Sequence, residues 1–310
     1  MYRDHKIASL VPCYNEERNI GRVINTMPDF VDYLVVVNDG SSDDTAKAIT
    51  SCKTERVIFI DRAENKGLGF TLAEANIRAL KTDADIMVIM AGDGQMLPEY
   101  LPFLLDTLID GSYDFAKGNR FLNSTSLKTM PTHRVIGNTI LTFLTKIATG
   151  YWSIFDPQNG YTAITRAMAK KIDWGNVATN YSYENDVLFR LALNRARIKD
   201  VDIPAYYSDE HSTVKLSRTI PHLLITLNRS FWKRMWVNYI LQSFSPIIIF
   251  GLLGVALVTF GIVFGTWSVV QVMGVAPVSS AKAVLTAITT ITGVQLLLFA
   301  FVLDTLNEPK

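Results

Sequence analysis

Three polar clusters in the first hundred residues carry side chains that can hold a ligand or a metal ion. They read PCYNEE at Pro12–Glu17, VNDGSSDDT at Val37–Thr45 and MAGDGQM at Met90–Met96, and each follows a short apolar run. A carboxylate between two glycines, such as Asp93, can coordinate a hard divalent cation, and Asp39 can accept hydrogen bonds from a base or a ribose. Taken singly, each cluster is also typical of an ordinary turn that ends a strand.

Predicted strands and helices alternate along the segment that contains these clusters, as they do in a βαβ fold. Apolar runs predict four buried strands, and charged segments between them predict three helices. The predicted strands are Ile7–Pro12, Tyr33–Asn38, Arg56–Ile60 and Asp85–Met90, and the predicted helices are Glu17–Met27, Asp43–Cys52 and Gly69–Leu80. The pattern predicts an α/β domain with a doubly wound, mostly parallel sheet. Because ligands bind at the carboxyl ends of the strands in such sheets, we expect the three clusters at one edge.

The composition changes abruptly after about residue 215. From Leu241 to Leu303 the one Lys, Arg, Asp, Glu or His is Lys282. Two apolar stretches, about 244–266 and 283–303, are each roughly 20 residues long, enough to cross a hydrocarbon core of about 30 Å. We predict two transmembrane helices, since a buried core helix, which is the alternative, rarely lacks a polar face over such a length.

The segment before the first apolar stretch predicts the orientation of the chain. Between Ser212 and Gln242 there is no acid, and five residues are basic: Lys215, Arg218, Arg229, Lys233 and Arg234. By the positive-inside rule this side, and with it the N-terminal domain, is expected in the cytoplasm. The segment Thr219–Leu241 also predicts an amphipathic helix in the headgroup layer, with a helix packed on its own domain as the alternative. The predicted domains are 1–215, a juxtamembrane region 216–242 and a transmembrane hairpin 243–310.

The motifs together resemble a known family. VPCYNEE, VVNDGSSDDT, ENKGLG and AGDGQ, in this order and spacing, resemble the N-terminal half of family 2 glycosyltransferases, which have the GT-A fold. KGNRF, HRVIGN, DPQNGYTAI and YSYENDVLFRLALNRARIKDVDIP then resemble the polyprenyl-phosphate glycosyltransferases, the group of dolichyl-phosphate mannose synthase. The resemblance covers roughly residues 7–215. It implies an inverting hexosyltransferase that moves a sugar from a nucleotide-sugar donor to a polyprenyl monophosphate at the membrane.

The resemblance also implies residues for the donor. The base and ribose are expected at Pro12, Tyr14, Glu16 and Asp39, with the loop at Lys66 nearby. The family holds a divalent ion with two Asp residues one apart and a following Gln. Here the expected ligands are Asp93 and Gln95, because Ala91 replaces the first Asp. A single carboxylate suits Mg²⁺, which keeps several waters, and Mn²⁺ is the other candidate.

For the acceptor, the resemblance implies that arginines grip the phosphate. Arg120 and Arg134 match these family positions, since a planar guanidinium binds phosphate in a bidentate way. Lys215 is expected to assist, with His211 beside it in sequence. Glu184 is expected to orient groups or to join the phosphate network. Three residues of DPQNG are expected to line the sugar side: Asp156, Gln158 and Asn159.

Two other functions are weighed against this one. A processive polysaccharide synthase of the same fold would show a Gln-x-x-Arg-Trp motif and more membrane helices, and the sequence contains neither. A non-catalytic protein that binds nucleotide sugars is favoured by Ala91, but the retained Asp93 and Arg120 argue against it. The sequence does not separate UDP from GDP donors. Its motifs resemble those of the mannose synthases less closely, which favours UDP-glucose or UDP-N-acetylglucosamine. Nucleic acid is not an expected partner, and self-association is left open.

Overall fold

The structure is a computed structural model that describes residues 1–52, 54–122, 132–204, 216–272 and 279–309, with the side chains of 133, 134, 216–219 and 272 excepted. The chain divides into two compact units. The main part of the first unit is Met1–Phe231, and the second unit is Trp232–Glu308. Each unit is described by itself below.

Seven strands of the described residues form one sheet in the first unit. They are β1 (Ile7–Cys13), β2 (Tyr33–Asn38), β3 (Val57–Asp61), β4 (Ile86–Ile89), β5 (Phe115–Asn119), β6 (Thr162–Thr165) and β7 (Ile198–Asp202). Their order is β3-β2-β1-β4-β6-β5-β7. β1 to β4 are parallel, and β5 is parallel to β7. β6 is antiparallel to both of its neighbours, β4 and β5.

Helices cover both faces of this sheet. The helices of the first unit are α1 (Ile20–Thr26), α2 (Thr45–Ser51), α3 (Leu68–Ala79), α4 (Leu101–Asp110), α5 (Thr132–Thr149), α6 (Arg166–Ala169) and α7 (Tyr183–Leu193). Alternate strand residues face two separate cores: Leu10 and Val35 pack in one, Val11 and Val36 in the other. All four are fully buried, because both faces of a parallel sheet are covered.

The predicted doubly wound, mostly parallel sheet is confirmed. The four predicted strands and three predicted helices are all present, with ends displaced by up to three residues. The motif reading did not identify the reversal of β6. Its run TAIT has four residues, and nothing in so short a run specifies the direction of pairing.

The helix that leads out of the first unit is α8 (Leu216–Arg234), and a π-helix, Met235–Leu241, follows it. Within the first unit, Leu223 and Leu227 of α8 pack on Ala148 of α5. Elsewhere on α8, Leu224 and Ile225 are exposed. Packing on the domain and exposure of apolar side chains therefore occur on the same helix, and its location in the headgroup layer stays a prediction.

The second unit contains a pair of apolar helices. They are α9 (Pro246–Val272) and α10 (Ser280–Leu306), and each has 27 residues. Both are long and apolar enough to cross a membrane. They approach closely where side chains are small, since a Cβ at Gly261 would lie 2.2 Å from Oγ1 of Thr290. Most of their large apolar side chains are exposed, which suits contact with lipid.

The second unit contains a buried ion pair between Arg234 and Asp304. Arg234 donates to Asp304 at 2.6 and 3.2 Å, and Tyr239 also donates to that carboxylate. Arg234 and Asp304 are 2% and 8% exposed, so both charges are removed from solvent. The pair connects the chain before the hairpin to the end of α10.

Candidate functional site

The polar clusters of the first two strands meet at the carboxyl edge of the sheet, as predicted. Asn15, in the loop after β1, accepts from the backbone N–H of Ser42 at 2.9 Å and donates its own N–H to Oγ of Ser41 at 2.9 Å. The N–H of Glu16 donates to Oγ1 of Thr45 at 2.8 Å. These bonds join the two loops directly, so their functional groups share one surface.

Asp39 is held rigidly at the end of β2. Its side chain is 5% exposed and forms an ion pair with Arg62 at 2.9 Å. Oδ1 also accepts from the N–H of Lys66 at 2.9 Å, and Oδ2 accepts from that of Gly67 at 2.9 Å. Each carboxylate oxygen has about two acceptor sites, so these bonds leave one site on Oδ2 for a ligand. Arg62, which the motif reading omitted, is thus the charge partner of the predicted donor residue.

The third cluster lies against the first. The N–H of Gly92 donates to the carbonyl of Pro12 at 2.9 Å. A Cβ at Gly92 would lie 2.8 Å from Cβ of Cys13, so glycine permits this approach. The half-buried Asp93 accepts from the N–H of Gln95 at 2.9 Å, which closes a tight turn. The structure therefore places the predicted metal-binding turn beside the predicted donor loops.

The other side of this turn contacts the DPQNG loop. Tyr161 donates its hydroxyl to the carbonyl of Leu97 at 3.1 Å. A Cβ at Gly160 would lie 3.2 Å from Cε of Met96. The turn at Asp93 consequently lies between the two loops after β1 and β2 and the loop that precedes β6.

A buried carboxylate, that of Asp156, binds the side chain of Arg120. Its Nε and Nη2 donate to the two oxygens of Asp156, each at 2.7 Å. Asp156 is 0% exposed, and the Arg120 side chain is 27% exposed. Such a bidentate pair fixes the plane of the guanidinium. Asp156, which was expected to line the sugar side, therefore acts as the partner of the predicted phosphate-binding arginine.

Another buried ion pair lies in the strand that leads to Arg120. Lys117 lies in β5, three residues before Arg120 in sequence. It is 1% exposed and lies 3.1 Å from Oδ1 of Asp200 in β7. Burial raises the pKa of Asp200, and the Lys117 ammonium opposes that rise. The motif reading missed this pair. The available signal was a lysine inside FAKGN, a strand run whose residues are all buried.

Glu184 borders a small cavity of about 30 Å³, room for one or two waters. Burial raises the pKa of the Glu184 carboxyl to about 7. Its place in the first turn of α7 favours the ionised form, but desolvation outweighs that effect. Other polar side chains of the wall are Asn76, Lys117, Asn159 and Thr162. Glu184 and Lys117 therefore border the same cavity.

The remaining predicted residues are placed as follows. Tyr14 is 48% exposed, and Glu16 accepts from Nδ2 of Asn19 at 2.9 Å. Lys66 is exposed, with Nζ 4.9 Å from the ring centroid of Phe70. Arg134 lies in the first turn of α5, but its side chain is outside the described part, and Lys215 and His211 lie outside the described residues altogether.

Comparison with known proteins places this geometry in a family. The sequence pattern described as Glycosyl transferase family 2 matches residues 9–173, more than half of the chain. A Methanococcus voltae protein named UDP-N-acetylglucosamine–dolichyl-phosphate N-acetylglucosaminyltransferase is 28% identical over 221 residues, which are 66% of this chain and 88% of that protein. The undecaprenyl-phosphate mannosyltransferase of Micrococcus luteus is 26% identical over 203 residues, 64% of this chain and 82% of that protein.

Solved structures show the same fold. Glucosyl-3-phosphoglycerate synthase of Mycobacterium tuberculosis, determined with Mn²⁺, UDP-glucose and phosphoglyceric acid, matches with a TM-score of 0.55 at 21% identity. The match covers 76% of this chain and 81% of that one. The predicted GT-A fold is therefore confirmed, and the low identity limits this comparison to the fold.

Proposed function

Because this chain belongs to glycosyl transferase family 2, we propose that it transfers a sugar from a nucleotide sugar to a polyprenyl monophosphate, with inversion at the anomeric carbon. The observation that carries the proposal is Arg120, a guanidinium fixed by buried Asp156 at the sheet edge that also presents Asp39 and Asp93. A phosphate-binding cation beside a donor site suits an acceptor that is itself a phosphate. The names of relatives that act on dolichyl and undecaprenyl phosphate support the same acceptor.

The loops of residues 14–19, 39–45 and 62–67 form the donor side of the proposed site. Asp39 retains one acceptor site for the base or ribose, and the backbone N–H of Lys66 donates to its carboxylate. Pro12, Tyr14 and Glu16, at the end of β1 and in the loop after it, would complete this side. Two comparisons favour UDP as the nucleotide. One relative is named for UDP-N-acetylglucosamine, and the solved structure of the same fold was determined with UDP-glucose.

A divalent ion, Mg²⁺ or Mn²⁺, fits the donor set at Asp93. Among the described residues no three His, Cys, Asp or Glu side chains converge as a metal site. The protein would therefore supply Asp93 and Gln95, and the donor diphosphate and water would supply the other oxygens. Such an ion neutralises the charge that develops on the departing diphosphate. The solved structure with Mn²⁺ supports this choice of cofactor.

The loops of residues 120–122 and 154–161 form the acceptor side. Arg120, together with Arg134 and Lys215, would position the phosphate in line with the anomeric carbon. A phosphate oxygen forms the new bond to that carbon while the bond to the nucleoside diphosphate breaks. The acceptor phosphate has a second pKa of about 6, so it is largely ionised near neutral pH and needs no general base. Glu184, whose pKa is about 7, would orient groups in the cavity rather than remove a proton.

We place the catalytic domain at the cytoplasmic face of a membrane that α9 and α10 cross. Five basic residues and no acid lie between Ser212 and Gln242, immediately before the first span. This asymmetry supports the orientation through the positive-inside rule. The proposal also places the phosphate of a membrane-held acceptor at the face where nucleotide sugars are available.

Transfer of radiolabelled sugar tests the proposal directly. Full-length protein is incubated with a panel of UDP- and GDP-sugars and a polyprenyl phosphate, with and without EDTA. We expect a lipid-linked product from a UDP-sugar, and we expect EDTA to abolish it. The absence of a product with every donor would overturn the function, and full activity in EDTA would overturn the metal assignment.

A further inference from the structure

Lys117 is buried and fully engaged, although lysine is rarely buried without a partner. Its Nζ lies 3.2 Å from the carbonyl oxygen of Gly118 and 3.1 Å from that of Asp156, and it also donates to the carbonyl of Phe155. The ion pair with Asp200 completes these contacts. An ammonium has three donors, so Lys117 has none left for a ligand.

The contacts of Lys117 converge on an unusual residue. Asp156 has a φ of 55°, in the left-handed region, although it is not glycine. A residue in that region costs on the order of 1–3 kcal/mol and persists where its surroundings fix it. Lys117 holds the carbonyls of Phe155 and of Asp156 itself, which flank the strained φ and ψ angles.

Asp200 fixes the same backbone from the other side. Its Oδ2 accepts from the N–H of Phe155 at 2.6 Å and from Nδ2 of Asn119 at 2.7 Å. Oδ1 of Asn119 in turn accepts from the N–H of Phe121 at 2.9 Å. The residues on each side of Arg120 and the residue before Asp156 are thereby bonded to one network.

We infer that Lys117 and Asp200 are a positioning pair for Arg120. By fixing the backbone at Phe155 and Asp156 they aim the Asp156 carboxylate at the guanidinium, which then meets the acceptor phosphate in one orientation. This inference rests on the proposed function, in which Arg120 binds that phosphate. The pair acts through Asp156 and does not touch the acceptor.

A binding cycle on the full-length protein tests this coupling. The probe is dodecyl phosphate, a single-chain phosphate monoester, and its Kd is measured in detergent micelles. Lys117→Met alone would leave the buried Asp200 without its charge partner, so the main variant is Lys117→Met with Asp200→Asn, which removes both charges. Arg120→Met and the triple variant complete the cycle. If the double variant does not fold, Asn119→Ser replaces it, because this change removes the amide that bonds to Asp200 and to the N–H of Phe121 but removes no charge.

The control is Arg56→Met, which also removes a cation bonded to backbone carbonyls. Arg56 donates to the carbonyls of Pro28 at 2.8 Å and Val31 at 3.0 Å, at the opposite edge of the sheet. We expect the double variant to weaken binding about tenfold, the usual scale for losing a supporting residue. We expect the triple variant to bind no more weakly than Arg120→Met, and the control to bind like the wild type.

The outcomes separate the inference from the proposed function. Wild-type affinity in the double variant, or losses that add in the triple variant, would overturn the positioning role. An Arg120→Met variant that binds normally would overturn both the role of Arg120 and the inference. If the wild type binds dodecyl phosphate and the cycle is non-additive, but no sugar is transferred to polyprenyl phosphate, the proposed function fails and the positioning pair stands.

Discussion

The donor side and the acceptor side of the sheet edge are fixed by different interactions. On the donor side, loops that follow neighbouring parallel strands bond to each other through exposed or half-buried polar groups, such as Asn15 with Ser42. The buried ion pair on this side, Asp39–Arg62, is supplemented by two backbone N–H groups that donate to Asp39. On the acceptor side there are two ion pairs with buried members, Lys117–Asp200 and Arg120–Asp156. They support the loop after β5 and the loop before β6, which pairs with β5 in the antiparallel direction.

This difference has consequences for how each side responds to change. Loop-to-loop hydrogen bonds near solvent contribute modestly one by one, and Asp39 would keep two backbone N–H donors if Arg62 were lost, so the donor side should tolerate single losses. A buried charge that loses its partner is costly, so single losses on the acceptor side should have larger effects. Asp93, on the turn between the two sides, should be sensitive for a chemical reason rather than a structural one.

The largest effect is expected for Asp93→Asn, which removes the carboxylate that we propose as the charged metal ligand of the turn. We expect kcat to fall about a thousandfold, or roughly 4 kcal/mol in transition-state stabilisation, with the fold unchanged. Sugar transfer under saturating donor and acceptor measures kcat. The control is Asp83→Asn, which changes an exposed carboxylate. Asp83 lies just before the first residue of β4, whereas Asp93 lies after its last. Normal turnover by Asp93→Asn would contradict its assignment.

Glu184, in the wall of the cavity that Lys117 also borders, should make the protein less stable as pH rises. The pKa of Glu184 is raised to about 7 from 4.5, so the folded protein keeps a proton that the unfolded chain releases at lower pH. The free energy of unfolding therefore falls as pH rises from about 4.5 to 7, by at most on the order of 3 kcal/mol. Glu184→Gln cannot ionise and should escape this loss.

Thermal unfolding in detergent from pH 4 to 8 measures the difference. We expect Glu184→Gln to match the wild type at pH 4 and to unfold at a higher temperature at pH 8. Glu99→Gln, which replaces an exposed carboxylate, should follow the wild type throughout. Parallel curves for the wild type and Glu184→Gln would show that Glu184 does not titrate in this range.

Asp156→Asn should separate acceptor binding from donor binding. Asparagine keeps the shape of Asp156 but withdraws the charge that pairs with Arg120. We expect the KM for polyprenyl phosphate to rise about thirtyfold, or roughly 2 kcal/mol, with little change in the Kd of UDP. Asp173→Asn, at an exposed position, serves as the control. Equal losses for acceptor and UDP would mean that the two sides are not independent.

The donor side could be predicted from the sequence more fully than the acceptor side. The donor side depends on continuous apolar runs, IASLVPC and YLVVVN among them, and their polar ends mark Asp39 and Asp93 correctly at one edge. The family pattern over residues 9–173 confirms the family that these runs and their polar ends predicted. Local sequence was sufficient because parallel strands bring their carboxyl ends together without further information.

The acceptor side could not be predicted in the same way. Asp200 lies more than eighty residues from Lys117 in sequence, and Asp156 lies 36 residues from Arg120. Nothing in either segment indicates which charge pairs with which, because pairing across β5 and β7 depends on the strand order. The resemblance singled out Arg120, and the structure pairs it with Asp156, a residue that the resemblance assigned to the sugar side.

The smallest effect is expected for Arg62→Met on the donor side. Asp39 would lose its charge partner yet keep the two backbone bonds from Lys66 and Gly67. We expect the Kd of UDP to rise about fivefold, or roughly 1 kcal/mol, and the KM for polyprenyl phosphate to stay constant. Calorimetric titration with UDP measures the first quantity. Arg78→Met, which removes an exposed cation from α3, is the matched control. A loss as large as that of Asp156→Asn would show that the donor side depends on its ion pair as strongly as the acceptor side does.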